Sequence, residues 1–155
     1  MIDQVHRHFT GGCQCGAVRY QLLAAPVQVS ICHCRMCQKA SGGPIMAFAR
    51  VKEDQLRWTR GRPAAFRSSS LAERHFCSAC GTPLTYHFID SGNISVTAGS
   101  LDDPEAVRPA LQYGIDRMLS WFRGLADLPG KHMDEFITAD LARRFVSHQH
   151  PDFDT

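Results

Sequence analysis

Short stretches of alternating apolar and polar residues recur along the chain. In AVRYQLL, Val18, Tyr20 and Leu22 would face one side and Arg19 and Gln21 the other, which is the pattern of a half-buried strand. Further stretches rich in branched or aromatic residues are VQVSIC, IMAFARV, AAFRSS, LTYHF and NISVTAG. Turn-forming segments such as SGGP, TRGRP, DSGN and LDDP separate them. Many short strands with polar turns predict a mainly β fold.

Helical patterns are confined to the second half of the chain. The best candidate is TADLARRFVSH, residues 138–148, with Thr138 as its N-cap. PEAV, residues 104–107, predicts a single helical turn. We expect the last residues, QHPDFDT, to form a loose tail.

Length and charge narrow the protein class. The chain has 155 residues, 44% of them hydrophobic, which predicts one domain over residues 1–155. The beginning, MIDQVHRHFTGG, has no apolar signal region. No apolar run is long enough to span a bilayer, so we expect a cytoplasmic protein without a membrane partner. The net charge is +2 with scattered basic residues, which argues against nucleic acid as a partner.

Seven cysteines fall into three groups, and this is the strongest chemical signal in the chain. In a reducing compartment, clustered cysteines indicate metal binding or catalysis before disulfides. The groups are a C-x-C, a C-x-C-x-x-C and a C-x-x-C. Their members are Cys13 and Cys15, then Cys32, Cys34 and Cys37, then Cys77 and Cys80.

The spacing divides these cysteines into four plus three. Cys77 and Cys80 can reach one ion across a tight turn, and Cys13 and Cys15 would share a face if their segment were an extended strand. Together these four make a closed, structural tetrahedral zinc site. On the same reasoning, Cys32 and Cys34 share a strand face, and Cys37 closes from the following turn. Three ligands leave one position open, as in reactive zinc sites.

Alternative interpretations of the cysteines remain open. Cys34 and Cys37 could form a redox dithiol, although their surroundings do not open a clear βαβ unit. His33 could be a fourth ligand of the triplet, although strand alternation would turn it away. The seven cysteines could also be unrelated buried thiols. A partition that joins Cys13 and Cys15 to part of the triplet would leave a C-x-x-C pair short of partners.

Beyond the cysteines, the motifs resemble those of a known family. GGCQCGAVRY, CHCRMCQKASG, RHFCSACGTPL, AGSLDDP and WFRGLADLP occur here in the order seen in glutathione-dependent formaldehyde-activating enzymes, a family that includes centromere protein V. The resemblance covers residues 11–129 and leaves a C-terminal extension, residues 130–155. YGIDRMLSWF departs from the His-Ile segment of many members.

This resemblance implies a fold, metals and a reaction. The fold would be a β-tent of small coiled antiparallel sheets with a zinc knuckle and a short C-terminal helix. Two zinc ions would bind per chain, a structural one at the first four cysteines and a more labile one at Cys32, Cys34 and Cys37. The activity would be that of a carbon–sulfur lyase that reversibly joins formaldehyde to glutathione as S-hydroxymethylglutathione. The expected partners are therefore a small thiol such as glutathione and an aldehyde.

Residues near the triplet supply candidates for further roles. His33 is the nearest acid or base in sequence. Arg35 and Lys39 could meet a peptide carboxylate, and Trp121 could wall a pocket; solvated charges and core packing are the alternatives. Two other functions compete with the lyase, a non-catalytic zinc module that binds a partner and a dithiol redox protein. A complete triplet favours the lyase, because a binding module needs no open metal position.

Overall fold

The computed structural model describes residues 9–154, in which ten strands form two mainly antiparallel sheets. The small sheet has the strand order β1–β2–β5, and the large sheet has the order β10–β3–β4–β9–β8–β7–β6. The strands are β1 (Phe9–Gly12), β2 (Arg19–Leu22), β3 (Gln28–Cys32), β4 (Met46–Lys52), β5 (Leu56–Arg60), β6 (Ala64–Ser69), β7 (Ala72–Phe76), β8 (Pro83–Phe88), β9 (Asn93–Thr97) and β10 (Leu111–Tyr113).

Two short α-helices accompany the sheets, α1 (Arg35–Ser41) and α2 (Ala139–Arg144). Thr138 caps α2 as predicted, since its side chain accepts a hydrogen bond from the backbone N–H of Leu141. The helix ends at Arg144, four residues before the predicted end. Short 3₁₀ turns are Glu53–Gln55, Ala98–Ser100, Pro104–Ala106, Ile115–Arg117, Phe122–Asp127 and Met133–Glu135.

The main core lies between the two sheets. Tyr20 and Leu22 of the small sheet belong to the same buried cluster as Val51, Leu84 and Val96 of the large sheet. The opposite face of β4 belongs to a second cluster, where Met46 and Phe48 pack with Cys37. Because successive side chains of a strand point to opposite faces, one face of β4 packs in the main core and the other packs beside the cysteine triplet.

The predicted mainly β fold is confirmed, and each strand predicted from the sequence overlaps an observed one. Four strands were not predicted, β1, β5, β7 and β10, nor was α1. The expectation of antiparallel sheets holds except for β10, which pairs with β3 in parallel. The signal-free N-terminus was inferred largely from residues 1–8, which lie outside the described residues. None of the helices in residues 9–154 is long and apolar enough to cross a membrane.

The C-terminal residues differ from the expected loose tail. The backbone N–H of His150 donates to the carbonyl of Gln14 over 2.7 Å. Arg19 donates from Nη2 to the carbonyl of Phe153 over 3.3 Å. These contacts bring the tail beside the turn that carries Cys13 and Cys15.

Candidate metal centres and the adjoining cavity

The first cysteine cluster joins two turns that are distant in sequence. Cys13 and Cys15 follow β1, and Cys77 and Cys80 lie in the turn between β7 and β8; all four sulfurs are within 4.8 Å of one another. The Sγ atoms of Cys13 and Cys15 are 3.6 Å apart, and those of Cys15 and Cys77 are 3.8 Å apart. A tetrahedron with zinc–sulfur bonds of 2.3 Å has edges of about 3.8 Å. These four sulfurs therefore fit a tetrahedral metal.

The local backbone explains how this cluster forms, and it corrects one prediction. Cys13 and Cys15 lie in a turn rather than on one face of an extended strand. The turn is closed by the N–H of Cys13, which donates to the carbonyl of Val18 over 2.9 Å. On the other side, the N–H of Gly81 donates to the carbonyl of Cys77 over 2.9 Å. The two sulfurs of the C-x-C pair converge because the chain bends, not because side chains alternate.

Burial governs the chemistry of these thiols. Burial raises the pKa of Cys13 to about 12, against a weaker opposing effect of the Val18 N–H, which donates to its sulfur over 3.2 Å. Burial also raises the pKa of Cys80, but hydrogen bonds from Thr82 outweigh it and lower that pKa to about 6. A bound metal ion would favour the thiolate form of all four cysteines, because coordinating thiols are deprotonated.

A buried ion pair supports the same region. Arg19 donates from Nη1 and Nη2 to the two carboxylate oxygens of Asp102 over 2.8 and 2.6 Å. Thr10 donates its hydroxyl to that carboxylate over 2.6 Å. A polar cavity of about 420 Å³ lies between this pair, Cys13, Cys80 and the C-terminal tail. The ion pair and the cavity therefore surround the first cluster with polar groups.

The second cluster consists of the cysteine triplet, whose three sulfurs also lie within 4.8 Å of one another. Cys32 ends β3, Cys34 is the N-cap of α1, and Cys37 lies in the first turn of that helix. The N–H of Cys37 donates to the sulfur of Cys34 over 3.4 Å. The predicted shared strand face of Cys32 and Cys34 is therefore wrong, because the chain turns from strand to helix between them. The helix start brings the three sulfurs together instead.

Within the triplet, the pKa values of Cys32 and Cys37 are shifted in opposite directions. A hydrogen bond from Cys37 lowers the pKa of Cys32 to about 5, against the effect of burial. The same hydrogen bond, together with burial, raises the pKa of Cys37. This hydrogen bond favours the thiolate at Cys32 over that at Cys37, and both clusters could hold a metal ion.

Arg74 on β7 places a cation against a sulfur of the triplet, a contact that its position in the sequence does not indicate. It is buried, donates from Nη2 to Cys37 Sγ over 3.3 Å and approaches Met46 Sδ with Nη1 at 3.7 Å. Its guanidinium carbon also lies 5.0 Å from the centre of the Tyr86 ring. The 37 residues that separate Arg74 from Cys37 concealed this contact. Its positive charge favours thiolates at the triplet.

A second layer holds the backbone around the triplet. His33 is fully buried, with Nε2 2.9 Å from Gln112 Oε1 and its ring 4.7 Å from that of Phe122. Gln38 donates from Nε2 to the carbonyls of His33 and Arg117 over 2.7 and 3.1 Å. His33 is not among the residues whose ligand atoms converge. Its predicted role as acid or base stays a prediction.

Gly114 allows the segment after β10 to reach the triplet. Its φ angle is +63°, in the left-handed region that glycine adopts cheaply. A Cβ atom here would stand 3.1 Å from the backbone nitrogen of Cys34. This position belongs to the sequence segment that departs from the family pattern, and a side chain there would press on the N-cap of α1.

A cavity of about 370 Å³ adjoins the triplet. Cys32 and Cys37 line one part of it, and the rest is lined by Gln28, Ser30, Phe48, Arg50, Tyr86, Phe88, Ser91, Asn93, Ser95 and Tyr113. The predicted substrate-binding residues Arg35, Lys39 and Trp121 are exposed and are not among these lining residues. Arg35 instead donates to Gln38 Oε1 over 3.3 Å. Their role in substrate binding stays a prediction.

Residues 8–116 match the sequence profile of the glutathione-dependent formaldehyde-activating enzymes. The chain belongs to this family. A Schizosaccharomyces pombe protein named as an uncharacterized lyase is 31% identical over 85 residues, which are 55% of this chain and 61% of the relative. A Halomonas elongata protein provisionally named glutathione-dependent formaldehyde-activating enzyme is 30% identical over 82 residues, 48% of this chain and 52% of the relative. The chain thus spans little more than half the length of these relatives.

A solved structure shares the fold. A crystal structure of a Rhodobacter sphaeroides protein superposes with a TM-score of 0.53 at 23% sequence identity, covering 67% of this chain and 98% of that one. At this identity the likeness concerns the arrangement of strands and helices alone.

Proposed function

We propose that this protein is a zinc-dependent carbon–sulfur lyase that acts on a thiol–aldehyde adduct such as S-hydroxymethylglutathione. The observation that carries the proposal is the contrast between four converging sulfurs in one cluster and three in the other, with a cavity beside the three. Family membership and the names of the relatives support glutathione and formaldehyde as the reacting molecules.

Two zinc ions are the metals that best suit these donors. Cys13, Cys15, Cys77 and Cys80 would hold a structural ion, and Cys32, Cys34 and Cys37 would hold a second one. Sets made entirely of thiolates favour zinc over magnesium, calcium or manganese. Zinc with an open position favours the ionised form of a thiol and can polarise a carbonyl oxygen.

Arg74 would balance the charge of the second metal site, and the cavity would enclose the reacting molecules. Three thiolates around a divalent ion would leave one net negative charge, and the buried guanidinium of Arg74 at 3.3 Å from Cys37 Sγ offsets it. An incoming anionic thiol would then meet less repulsion. The cavity would hold the thiol and the aldehyde side by side, so that their effective concentration rises.

The proposed reaction is the reversible addition of a thiol to an aldehyde. A carbon–sulfur bond forms between the thiol sulfur and the aldehyde carbon, and the thiol proton ends on the former carbonyl oxygen. The reverse direction breaks that bond and returns both molecules. The step requires no oxidant or reductant.

Exchange spectroscopy tests the proposal directly. In a mixture of glutathione and ¹³C-formaldehyde, we expect catalytic amounts of the protein to accelerate exchange between free aldehyde and S-hydroxymethylglutathione. Cys34→Ser should remove the acceleration, and Lys131→Gln, which changes an exposed lysine outside the cavity, is the control. Exchange at the uncatalysed rate with zinc-loaded wild-type protein would contradict the lyase and favour a zinc module that binds a partner.

A further inference from the structure

The floor of the cavity beside the triplet is one face of the large sheet. In the register of β3 and β4, Cys32 lies opposite Met46, Ser30 opposite Phe48, and Gln28 opposite Arg50. On the far side of β4, Arg50 lies opposite Ser95 of β9. The cavity therefore has a sulfur end at Cys32 and a second end at Arg50.

Arg50 is the one Lys or Arg among the described residues that line this cavity, and no described Asp or Glu lines it. Its Nε atom is buried and has no hydrogen-bond partner among the described residues. Its cross-strand neighbours Gln28 and Ser95 are neutral. A half-buried guanidinium without a carboxylate nearby is an incomplete arrangement, because an unpaired buried donor costs free energy that a ligand acceptor can recover.

The rest of the wall fits an organic molecule with amide groups. Phe48, Tyr86 and Phe88 supply apolar surface, and Asn93 and Ser95 supply neutral hydrogen-bonding groups. A wall with several charges of one sign would suit a polyvalent ion better. Here a single cation stands at one end of a neutral, partly aromatic cavity.

The separation of the two ends limits the length of the ligand. Four residues along β3 separate Cys32 from Gln28, the partner of Arg50, which corresponds to about 13 Å at the usual rise of a strand. The arginine side chain shortens the gap but does not remove it. A mercapto acid of two or three carbons would be too short, whereas a thiol carried within a peptide can present its sulfur at one end and a carboxylate at the other.

We propose that Arg50 is a specificity-determining residue that binds a carboxylate of a peptide thiol whose sulfur lies at the cysteine triplet. This inference rests on the proposed function and names the substrate class of that site. The carboxylate would replace the partner that the guanidinium lacks. Thiols without a distant carboxylate would lose this contact.

Binding measurements on the zinc-loaded protein test the inference. Calorimetry would compare glutathione with its diethyl ester, which masks both carboxylates. We expect glutathione to bind wild-type protein about 10-fold to 100-fold more tightly than the ester, as for one hydrogen-bonded charge pair. Arg50→Gln should bind the two with similar affinity. Arg57→Gln, which removes an exposed arginine of the small sheet, should keep the wild-type preference.

The monoethyl ester of glutathione at its glycine residue masks only one of the two carboxylates. Its affinity therefore shows which carboxylate of glutathione Arg50 binds. A second comparison needs only wild-type protein. 3-Mercaptopropionate should gain little over 2-mercaptoethanol, because a short thiol acid cannot reach Arg50. An unchanged preference for glutathione in a folded Arg50→Gln protein overturns this inference alone. Failure of wild-type protein to bind glutathione, its esters and both short thiols overturns the proposed function as well.

Discussion

Both cysteine clusters offer only sulfur ligands, but the chain assembles them from different kinds of segment. The first takes its four sulfurs from two turns, after β1 and between β7 and β8, and thereby ties the small sheet to the large one. The second takes three sulfurs from a single strand-to-helix junction and adjoins a cavity. A metal ion bound by the first cluster would crosslink distant segments and stabilise the whole fold, whereas a metal ion bound by the second could leave without separating the sheets.

Cys77→Ser should have the largest effect. It removes one sulfur from the cluster that joins the two sheets. A structural zinc contributes about 10–16 kcal/mol in small peptides, which is comparable to the whole stability of a domain, about 5–15 kcal/mol. We expect unfolded or insoluble protein, measured as soluble yield and by circular dichroism. A soluble variant with an unchanged melting temperature would remove the structural role of this cluster.

Asp102→Asn should rank second, because it breaks a buried ion pair beside the same cluster. Arg19 would keep only the exposed carboxylate of Asp154 at 3.6 Å, and the loss of its buried partner should cost about 3 kcal/mol near neutral pH. Chemical denaturation would measure this. The control is Asp140→Asn, whose carboxylate is 64% exposed and pairs with Arg143, and which should change stability little.

The pH dependence of this pair has a defined sign. Burial raises the pKa of Asp102, but hydrogen bonds from Arg19 and Thr10 outweigh it and hold that pKa below its ordinary value. The contribution to stability is therefore present above the ordinary aspartate pKa of about 3.9 and is lost as pH falls through the lower folded value. The wild type and Asp102→Asn should converge in that range. A constant difference down to pH 2 would contradict the assignment.

Arg74→Met should have a smaller effect on stability and a clear one on the triplet. The methionine keeps apolar bulk but removes the charge beside Cys37. We expect a loss of about 1–3 kcal/mol in unfolding, as for a buried hydrogen-bonded group, and weaker retention of the second metal, measured by competition with a chelator. Arg74→Lys keeps the charge and should restore part of the retention. Equal retention in all three proteins would show that the guanidinium does not assist this site.

Cys34→Ser should have the smallest effect on stability, although it removes a proposed ligand. Cys34 is the N-cap of α1, and serine is a preferred N-cap residue, so the start of the helix is preserved. We expect a melting temperature within a few degrees of the wild type and one zinc fewer per chain by elemental analysis. An unfolded Cys34→Ser protein would mean that both clusters are structural.

The sequence predicted the strands that carry their own pattern and missed features that depend on pairing. AAFRSS coincides with β6 (Ala64–Ser69), and Thr138 caps the C-terminal helix as expected. The sulfurs converge in the same two groups as in the predicted partition. The spacing within each group is local, and the pairing of the first group with the last follows from the need of zinc for four ligands. β10 has only three residues, which are too few to show an alternating pattern, and it is defined by its pairing with β3.

The surroundings of the triplet were hidden for the same reason. Arg74 reaches Cys37, and Gln112 reaches His33, through strand register and chain crossing. Arg35 and Lys39 were chosen because they are close to the triplet in sequence, yet on α1 both side chains are exposed. Proximity along the chain is a poor guide to a cavity that is lined by residues of five different strands.

The difference between the two clusters is measured most directly by the release of zinc from the folded wild-type protein. We predict two equivalents of zinc in total. A moderate chelator should remove one equivalent quickly, without change in circular dichroism, while the second leaves only on unfolding. The quickly released equivalent should be missing from Cys34→Ser. Release of both ions together, or loss of the β-sheet signal with the first, would contradict the division into a structural cluster and an open one.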